Sequence, residues 1–489
     1  MGISAATAGF VANLEQKILT HGDNESALLL AQWLARFLTS NFCGVYHFKH
    51  VEESLARRFS GLKLVRPNKV GECAHVASEV YAYGGHTRLI RNLLAAESRS
   101  SRRVLLTRLS NPSAAAAVLD VDQEEIWVCD ASRQEQRVRQ LAEQFLKYKV
   151  LVLHLHPDDV TTAVALLLAK SVEPSLAVHF VNHSDHTFST AVAHADLVFE
   201  VSGYGWSLRK ARDTETRSTF LGIPISARNK TSDNTDTGFI LTGGAAYKYR
   251  PNRKGSLPCI IKALLVQEKS AHVVAIGPKP LDFWWWRLKL GFPSRFTRKV
   301  RMPHAEYARY FTNCSVYIDS YPVTGGTGFT EALVAGVNVA GIHGGPNGYG
   351  IADALRSESD SEFIDQIISL LRKDPAALAE QALVRAQARE VHSLEAVHKR
   401  FISAVQTGEL SCPPRELLRE QYEFDFRTEW ATRTTPFCAG FSGRGELLIL
   451  PTLLGTVAMT LKSATFAFAL VAKAAVATLR EFTSKITKK

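Results

Sequence analysis

Several signatures of secreted and metal-binding proteins are missing from this sequence of 489 residues. Its seven cysteines are scattered, and no two of them form a Cys-x-x-Cys pair. This spacing argues against a disulfide framework and against a structural zinc site. It favours a reducing compartment, so we expect a cytoplasmic protein.

Leader and anchor signals are missing as well. Polar and charged residues interrupt the first twenty positions, which therefore do not resemble a signal peptide. Met1 and Gly2 begin like a myristoylation signal, but Ala6 stands where that signal requires serine or threonine. We expect neither a cleaved leader nor an acyl anchor.

Nucleic-acid-binding signatures are absent although the formal net charge is +11. The sequence has no zinc-finger spacing and no RNA-binding aromatic motif, so we predict no nucleic-acid partner. An anionic membrane surface or an anionic substrate then accounts better for the charge. With 46% hydrophobic and 21% charged residues, bulk disorder is excluded, and the length predicts two or three domains.

Short apolar segments alternate with helical segments, which predicts an α/β fold with parallel sheets covered by helices. The first series of predicted strands is 73–80, 103–107, 126–129, 149–155, 176–181, 197–201 and 223–225. The second series is 238–243, 272–276, 315–319 and 337–342. The polar run 232–237 predicts a linker between the two series.

The segment 319–341 joins a strand end, a glycine loop and a helix start. The loop contains three glycines, namely Gly325, Gly326 and Gly328. Glycine permits close backbone approaches, and the N–H groups and dipole of a helix N-terminus suit a phosphate. Glu331, in the first turn of the predicted helix, can accept hydrogen bonds from a ribose diol. A glycine loop by itself equally fits a tight turn without a ligand.

The run YPVTGGTGFTEALVAGV resembles the nucleotide-sugar loop of GT-B glycosyltransferases, most closely that of the O-linked N-acetylglucosamine transferase family. The resemblance implies two Rossmann-like domains that face a cleft. It implies that Gly326, Thr327 and Gly328, beside Gly325, contact the diphosphate of a donor. It also implies that Glu331 binds the ribose, where the family more often has aspartate.

Two upstream segments extend the resemblance, which covers roughly 235–400 and is weaker over 71–230. PHAEYAR (303–309) looks like the segment beside the nucleotide base, which implies a contact by Tyr307, where the family often has histidine. ILTGGAAYKYRP (240–251) resembles the loop that brings a lysine, here Lys248, to the diphosphate. A fixed cation there would stabilise the leaving group. The alternative for Lys248 is a solvated surface lysine.

The first half supplies candidate acid–base groups. Gly85 and His86 follow Tyr83 and Gly84 and begin a predicted helix, 87–96, in a loop similar to the Gly-Gly loop of many GT-B enzymes. His86 can act as a general base on an acceptor hydroxyl or merely cap the helix.

A second histidine segment ends the predicted strand 176–181 and enters a predicted helix, 187–195. We predict that Gly85, His183 and Asp185 line the acceptor side, and that His86 or His186 is catalytic. A His-x-x-His pair can hold a metal, but this spacing does not place both imidazoles on one ion. Since no Asp-x-Asp signature stands beside the glycine loop, we predict no metal.

The chain ends and one internal segment stand apart from the resemblance. Residues 447–479 carry only two charges, Lys462 and Lys473, which with Arg480 would share one stripe of a helix. This pattern predicts a helix lying on an anionic membrane, and a packed tail helix is the alternative. The tryptophans 284–286 lie in a basic stretch that could contact sugars, phosphates or a membrane, or be a packing insert.

We therefore predict four segments: a helical cap (1–70), an acceptor-side domain (71–231), a nucleotide-sugar domain (238–410) and a C-terminal tail with an apolar helix (411–489). The predicted enzyme transfers a hexosyl or N-acetylhexosaminyl group from a nucleoside-diphosphate sugar, with a UDP-sugar favoured, to a hydroxyl. The acceptor would be a glycan, a lipid-linked molecule or a protein, and no cofactor is expected. The alternatives are a nucleotide-sugar epimerase and a non-catalytic membrane-associated binding protein. We expect the protein to be cytoplasmic, either free or peripheral at the inner face of a membrane.

Overall fold

The computed structural model describes residues 5–41, 43–82, 85–98, 102–212, 214–226, 238–253, 255–302, 304–344, 350–418, 436–442 and 444–486. The predicted linker 232–237 and the residues Tyr83, Gly84 and Pro303 lie outside these ranges.

The first half of the chain forms a seven-stranded, fully parallel sheet with the strand order β3-β2-β1-β4-β5-β6-β7. Its strands are β1 (Gly71–Ala77), β2 (Val104–Leu106), β3 (Ile126–Val128), β4 (Tyr148–His154), β5 (Ala177–Asn182), β6 (Leu197–Glu200) and β7 (Arg217–Phe220). In the central pair, Ala77 lies opposite His154, so β1 and β4 end level with each other.

The second half forms a six-stranded, fully parallel sheet with the order β10-β9-β8-β11-β12-β13. Its strands are β8 (Phe239–Gly243), β9 (His272–Ile276), β10 (Phe296–Lys299), β11 (Val316–Ile318), β12 (Asn338–Ile342) and β13 (Arg356–Ser357). Both strand series that we predicted from the alternation therefore form parallel sheets, as expected for an α/β fold.

Helices cover both sheets. Those of the first half are α1 (Ala5–Thr20), α2 (Asn24–Ser40), α3 (Lys49–Arg58), α4 (Gly85–Leu94), α5 (Pro112–Leu119), α6 (Gln134–Phe145), α7 (Val160–Val172) and α8 (Gly203–Leu208). Those that follow are α9 (Leu257–Gln267), α10 (Trp286–Gly291), α11 (His304–Asn313), α12 (Thr327–Val334), α13 (Asp360–Leu371), α14 (Pro375–His392), α15 (Leu394–Ile402), α16 (Leu450–Met459) and α17 (Ala464–Ile486).

After the second sheet, the chain returns to the first. Val397 and Phe401 of α15 are buried in one cluster with Val152 and Val181 of the first sheet. Helices α1–α3 likewise share one core with the first sheet, α6 and α7. How the chain divides into independently folding domains stays a prediction.

Three of the sequence predictions were wrong in detail. The last strand of the first sheet is β7, not 223–225, where Ile225 forms only an isolated bridge with Ser393. The edge strands β10 and β13 were not predicted. The predicted helix 187–195 is reduced to one 3-10 turn at Val192–His194, because Ala191 has a φ of 64° and donates its N–H to Glu52.

The tail is not the single interfacial helix that we predicted. It is broken between α16 and α17, where Lys462 has a φ of 47°, so Lys462 and Lys473 do not share one continuous helix. One face of the tail is buried against the N-terminal helices, and the ring of Phe466 lies 5.8 Å from that of Phe10 and 6.2 Å from that of Phe37. Within the described residues, no helix is both long and apolar enough to cross a membrane.

Candidate functional site

Two helix N-termini, one from each half of the chain, face each other. Helix α4 follows β1 and helix α12 follows β11, so both begin beyond the carboxyl ends of their strands. A Cβ atom placed on Gly85 would lie only 3.4 Å from Oγ1 of Thr327. The two sheets therefore meet at the edge where open parallel sheets bind their ligands.

A cavity of about 460 Å³ lies between the halves. Six of the residues that the sequence predicted for the site line it, namely Gly85, His86, His183, Tyr307, Thr327 and Glu331. Arginines 88, 91 and 102 also line it, together with the acidic side chains of Asp120 and Glu331. Its lining therefore carries more cationic than anionic side chains, which suits an anionic ligand.

The glycine loop before α12 is tied to a buried carboxylate. The N–H of Gly325 donates to both carboxylate oxygens of Asp319, at 3.1 and 2.9 Å. A Cβ on Gly325 would lie 2.7 Å from Oδ1 of Asp319, so only glycine fits here without a shift. Arg356 donates to the same carboxylate at 2.7 Å and to Asp353 at 2.6 Å. The loop is thus held in place before any ligand arrives.

Lys248 lies against this loop. It belongs to a 3-10 turn at Ala246–Tyr249, and its Nζ donates to the carbonyl of Thr324 at 3.3 Å. The N–H of Val323 in turn donates to the carbonyl of Lys248 at 3.2 Å. Burial lowers the pKa of Lys248, while the nearby carboxylate of Asp319 raises it. The structure therefore places a partly desolvated ammonium group beside the glycine loop.

Glu331 is paired with Arg88 across the cleft. Nη1 of Arg88 lies 2.7 and 2.6 Å from the two carboxylate oxygens of Glu331. Both side chains keep more than a quarter of their surface exposed, so a ligand can reach them. The sequence analysis did not assign a role to Arg88. Its position could have suggested one, because it is a cation in the first turn of α4, two positions after His86.

Tyr307 packs at the end of β8. A Cβ on Gly243 would lie 2.6 Å from its hydroxyl, and its ring lies 5.9 Å from that of Phe311. Burial raises the pKa of Tyr307, with the charge of Glu331 adding to the effect. The phenol therefore stays neutral and offers a flat ring to the cavity wall.

One ring nitrogen of His86 is hydrogen-bonded, and the other has no partner among the described residues. Its Nε2 lies 3.1 Å from the carbonyl oxygen of His154, and since a carbonyl only accepts, Nε2 carries the proton. Its Nδ1 is buried without a hydrogen-bond partner among the described residues. Burial and the neighbouring His183 and His156 lower the pKa of His86 well below its usual value. The ring is thus neutral, with a lone pair at Nδ1 that can accept a hydrogen bond.

His183 lies beside His86, with ring centroids 4.2 Å apart. Burial lowers its pKa to about 4. The two predicted residues that follow it are placed differently. Asp185 is buried and accepts a hydrogen bond from Ser202, the N-cap of α8, while His186 lies 3.3 Å from the carboxylate of Asp185. Neither Asp185 nor His186 lines the cavity.

Arg356 had no signal in the sequence. It lies on a two-residue strand, 37 positions from its partner Asp319, and is buried with its guanidinium 4.3 Å from the ring of Phe329.

In the described part of the chain, one group brings three metal-ligating atoms together: Cys73, His75 and Glu97. Within this group, Nε2 of His75 lies in hydrogen-bond distance of Glu97, at 2.8 Å. None of the three residues lines the cavity.

No protein-family model matches the sequence, and no curated protein matches it. Among solved structures, HepE of Anabaena in complex with UDP and glucose is similar, with 13% identity over 69% of this chain and 100% of its own and a TM-score of 0.52. The O-GlcNAc transferase of Thermobaculum terrenum shows 16% identity over 87% of this chain and 84% of its own, with a TM-score of 0.44. The lipopolysaccharide outer core galactosyltransferase WaaB shows 12% identity over 69% and 100%, with a TM-score of 0.47.

The resemblance to the O-GlcNAc transferase family is thus one of several structural similarities, all at low identity. What the comparisons share with this chain is its architecture of two parallel sheets that meet at a cleft. The chain has the GT-B fold, as its sequence predicted.

Proposed function

We propose that this protein is a glycosyltransferase that moves a sugar from a nucleoside-diphosphate sugar to an acceptor hydroxyl. The observation that carries the proposal is the meeting of the two helix N-termini at Gly85 and Thr327. One of them offers a glycine loop with a lysine beside it, and the other offers a histidine with a free ring nitrogen. Together they supply a site for a diphosphate and a base for a hydroxyl.

The donor would lie along the second half of the cleft. The N–H groups of Gly326, Thr327 and Gly328 at the start of α12 would bind the diphosphate, since a helix N-terminus favours anions. Glu331, on the same helix, would accept hydrogen bonds from the ribose, and Tyr307 would border the base. Asp319 and Arg356 touch no donor group in this arrangement and position the loop instead.

The chemistry follows from the charges. Nδ1 of His86 would take the proton of the acceptor hydroxyl as its oxygen bonds to the anomeric carbon. The bond between that carbon and the phosphate oxygen would break, and its electron pair would leave with the nucleoside diphosphate. Lys248 and the α12 N-terminus would stabilise this charge, which suits metal-independent transfer. Attack by the acceptor on the face opposite the phosphate would invert the configuration at the anomeric carbon.

UDP-sugars are the first donors to test. Structures of HepE hold UDP, glucose or UDP-glucose, and the resemblance in the sequence points to N-acetylglucosamine. A hexosyl or an N-acetylhexosaminyl donor therefore fits the proposal, with a glycan, lipid-linked or protein acceptor. The four sequence segments (1–70, 71–231, 238–410 and 411–489) remain our proposal for the domains, and limited proteolysis tests it.

The deciding experiment is a screen of UDP-, GDP- and ADP-sugars, with and without EDTA, for release of the nucleoside diphosphate and for protection against melting. We expect one donor class to protect the protein and to be cleaved slowly, with the same rate in EDTA. A donor that is isomerised without release of nucleotide would instead identify an epimerase. Protection without turnover, even with a panel of glycan, lipid-linked and peptide acceptors, would identify a binding protein.

A further inference from the structure

The chain segment that follows β9 in the second sheet exposes apolar and basic side chains. We call residues 279–299 the aromatic arm; it ends with β10, the edge strand of the sheet. Four large apolar side chains of the arm are strongly exposed, namely Leu281 (86%), Phe283 (73%), Trp286 (52%) and Leu290 (79%). So many exposed large apolar side chains within ten residues mark an interaction surface rather than ordinary surface variation.

The arm is firmly anchored. Trp285 is fully buried, and its ring stacks on Phe296 at 5.7 Å with an interplanar angle of 7°. Leu288 is also buried, one helical turn further along. The indole N–H of Trp286 donates to the carbonyl of Pro280 at 3.1 Å, which fixes the outward ring. The exposed side chains are therefore presented by a packed element and are not the result of a frayed helix end.

Nearly all charged residues in and beside the arm are basic. Residues 279–301 contain seven basic residues and a single acidic one, Asp282. The carboxylate of Asp282 accepts the backbone N–H of Lys279 at 2.7 Å, so it caps the turn. Lys279, Arg287 and Lys289 are exposed beside the apolar side chains. The arm thus combines an aromatic and aliphatic tip with a cationic rim.

We propose that the aromatic arm docks on the surface of an anionic lipid bilayer. Aromatic rings partition into the headgroup region, and basic side chains near it are attracted by anionic lipids. A second copy of this chain fits less well, because it would bring two cationic rims together. The proposal is independent of the transferase activity and of the tail, whose helices α16 and α17 bury one face against the N-terminal helices.

The test measures binding of the full-length protein to vesicles of phosphatidylcholine with 30% phosphatidylglycerol, and to phosphatidylcholine alone. We expect binding to the anionic vesicles that weakens at least tenfold in neutral vesicles or in 0.5 M salt. The double variant Phe283→Ser/Trp286→Ser should weaken binding to anionic vesicles at least tenfold, because both anchors lose apolar area. Arg287→Glu should also weaken it, with a smaller effect.

Two matched variants separate this surface from others. Leu383→Ser changes an exposed leucine of α14 (62% exposed), and Phe468→Ser changes an exposed phenylalanine of α17 (76% exposed). Both should leave vesicle binding unchanged, and urea unfolding should show that every variant is folded. The proposal fails if the arm variants, including Arg287→Glu, bind as the wild type does, or if Phe468→Ser alone abolishes binding. It also fails if the arm variants only convert a dimer into a monomer and the wild type ignores vesicles.

Discussion

Arg88 of α4 and Glu331 of α12 form a two-oxygen ion pair across the cleft, at 2.7 and 2.6 Å. The pair joins the two halves of the chain at the point where their helices begin. This ion pair also uses both oxygens of the carboxylate that we propose binds the ribose. A donor would therefore have to share Glu331 with Arg88 or displace it, and the cleft would respond to the donor through this contact.

Removing the Glu331 carboxylate should weaken nucleotide binding without unfolding the protein. We expect Glu331→Ala to bind UDP about tenfold more weakly, since hydrogen bonds to a charged group are lost. Arg88 remains reachable by solvent, so its lost partner costs little stability. Titration calorimetry measures the affinity, with Glu306→Ala, an exposed glutamate of α11, as the matched control. If the two variants bind UDP with equal affinity, Glu331 does not contribute to the donor site.

Replacing Lys248 should slow turnover more than it weakens binding. Its ammonium group faces a charge that grows as the diphosphate leaves, so Lys248→Ala should lower kcat about a hundredfold and change KM much less. Lys262→Ala, an exposed lysine of α9, is the control and should keep full activity. A loss confined to KM would show that the lysine contributes to ground-state binding alone.

Stability should fall as the pH drops below 6.5. Burial lowers the pKa of His183 to about 4 and that of His392 to about 3, from the ordinary value of 6.5. The unfolded chain then takes up protons that the folded chain does not, so the stabilisation is complete above pH 6.5 and is lost toward acid. Each of the two histidines should cost about 2 kcal/mol at pH 5.

Urea unfolding at pH 7.5 and pH 5 measures this loss. His392→Asn should reduce the difference between the two pH values, because the variant has one histidine fewer to protonate on unfolding. If the wild type and the His392 variant lose the same stability between pH 7.5 and pH 5, the pKa of His392 is not lowered in the folded protein.

The tail should contribute to the stability of the first half of the chain. Leu470 of α17 is fully buried, whereas Phe468, two positions earlier, is 76% exposed. Leu470→Ala should therefore lower the free energy of unfolding by about 2–5 kcal/mol, and Phe468→Ala by less than about 0.5 kcal/mol. A chain truncated near residue 440 should lose solubility, contrary to what an interfacial tail would predict. Similar unfolding curves for the two point variants would show that α17 does not stabilise the core.

The sequence alone determined the class of fold. Alternating apolar and helical segments are local patterns, and the strands predicted from them, apart from 223–225, lie in the two parallel sheets. The glycine loop, Lys248 and Glu331 were proposed from short segments that resemble a known family, and their roles stay predictions. The missed strands β10 and β13 read Phe-Thr-Arg-Lys and Arg-Ser, so they lack the apolar run that reveals the other strands.

Only the tertiary structure decided which of these residues meet. The pairs Arg88–Glu331 and Asp319–Arg356 join residues 243 and 37 positions apart, and no local pattern encodes such contacts. The same holds for the helix that was expected at 187–195, which was lost to a hydrogen bond with Glu52 from the N-terminal helices. Burial of the tail also depends on partners more than 400 residues away. Local spacing fixes the elements, whereas packing between distant segments fixes their contacts and the exposure of each side chain.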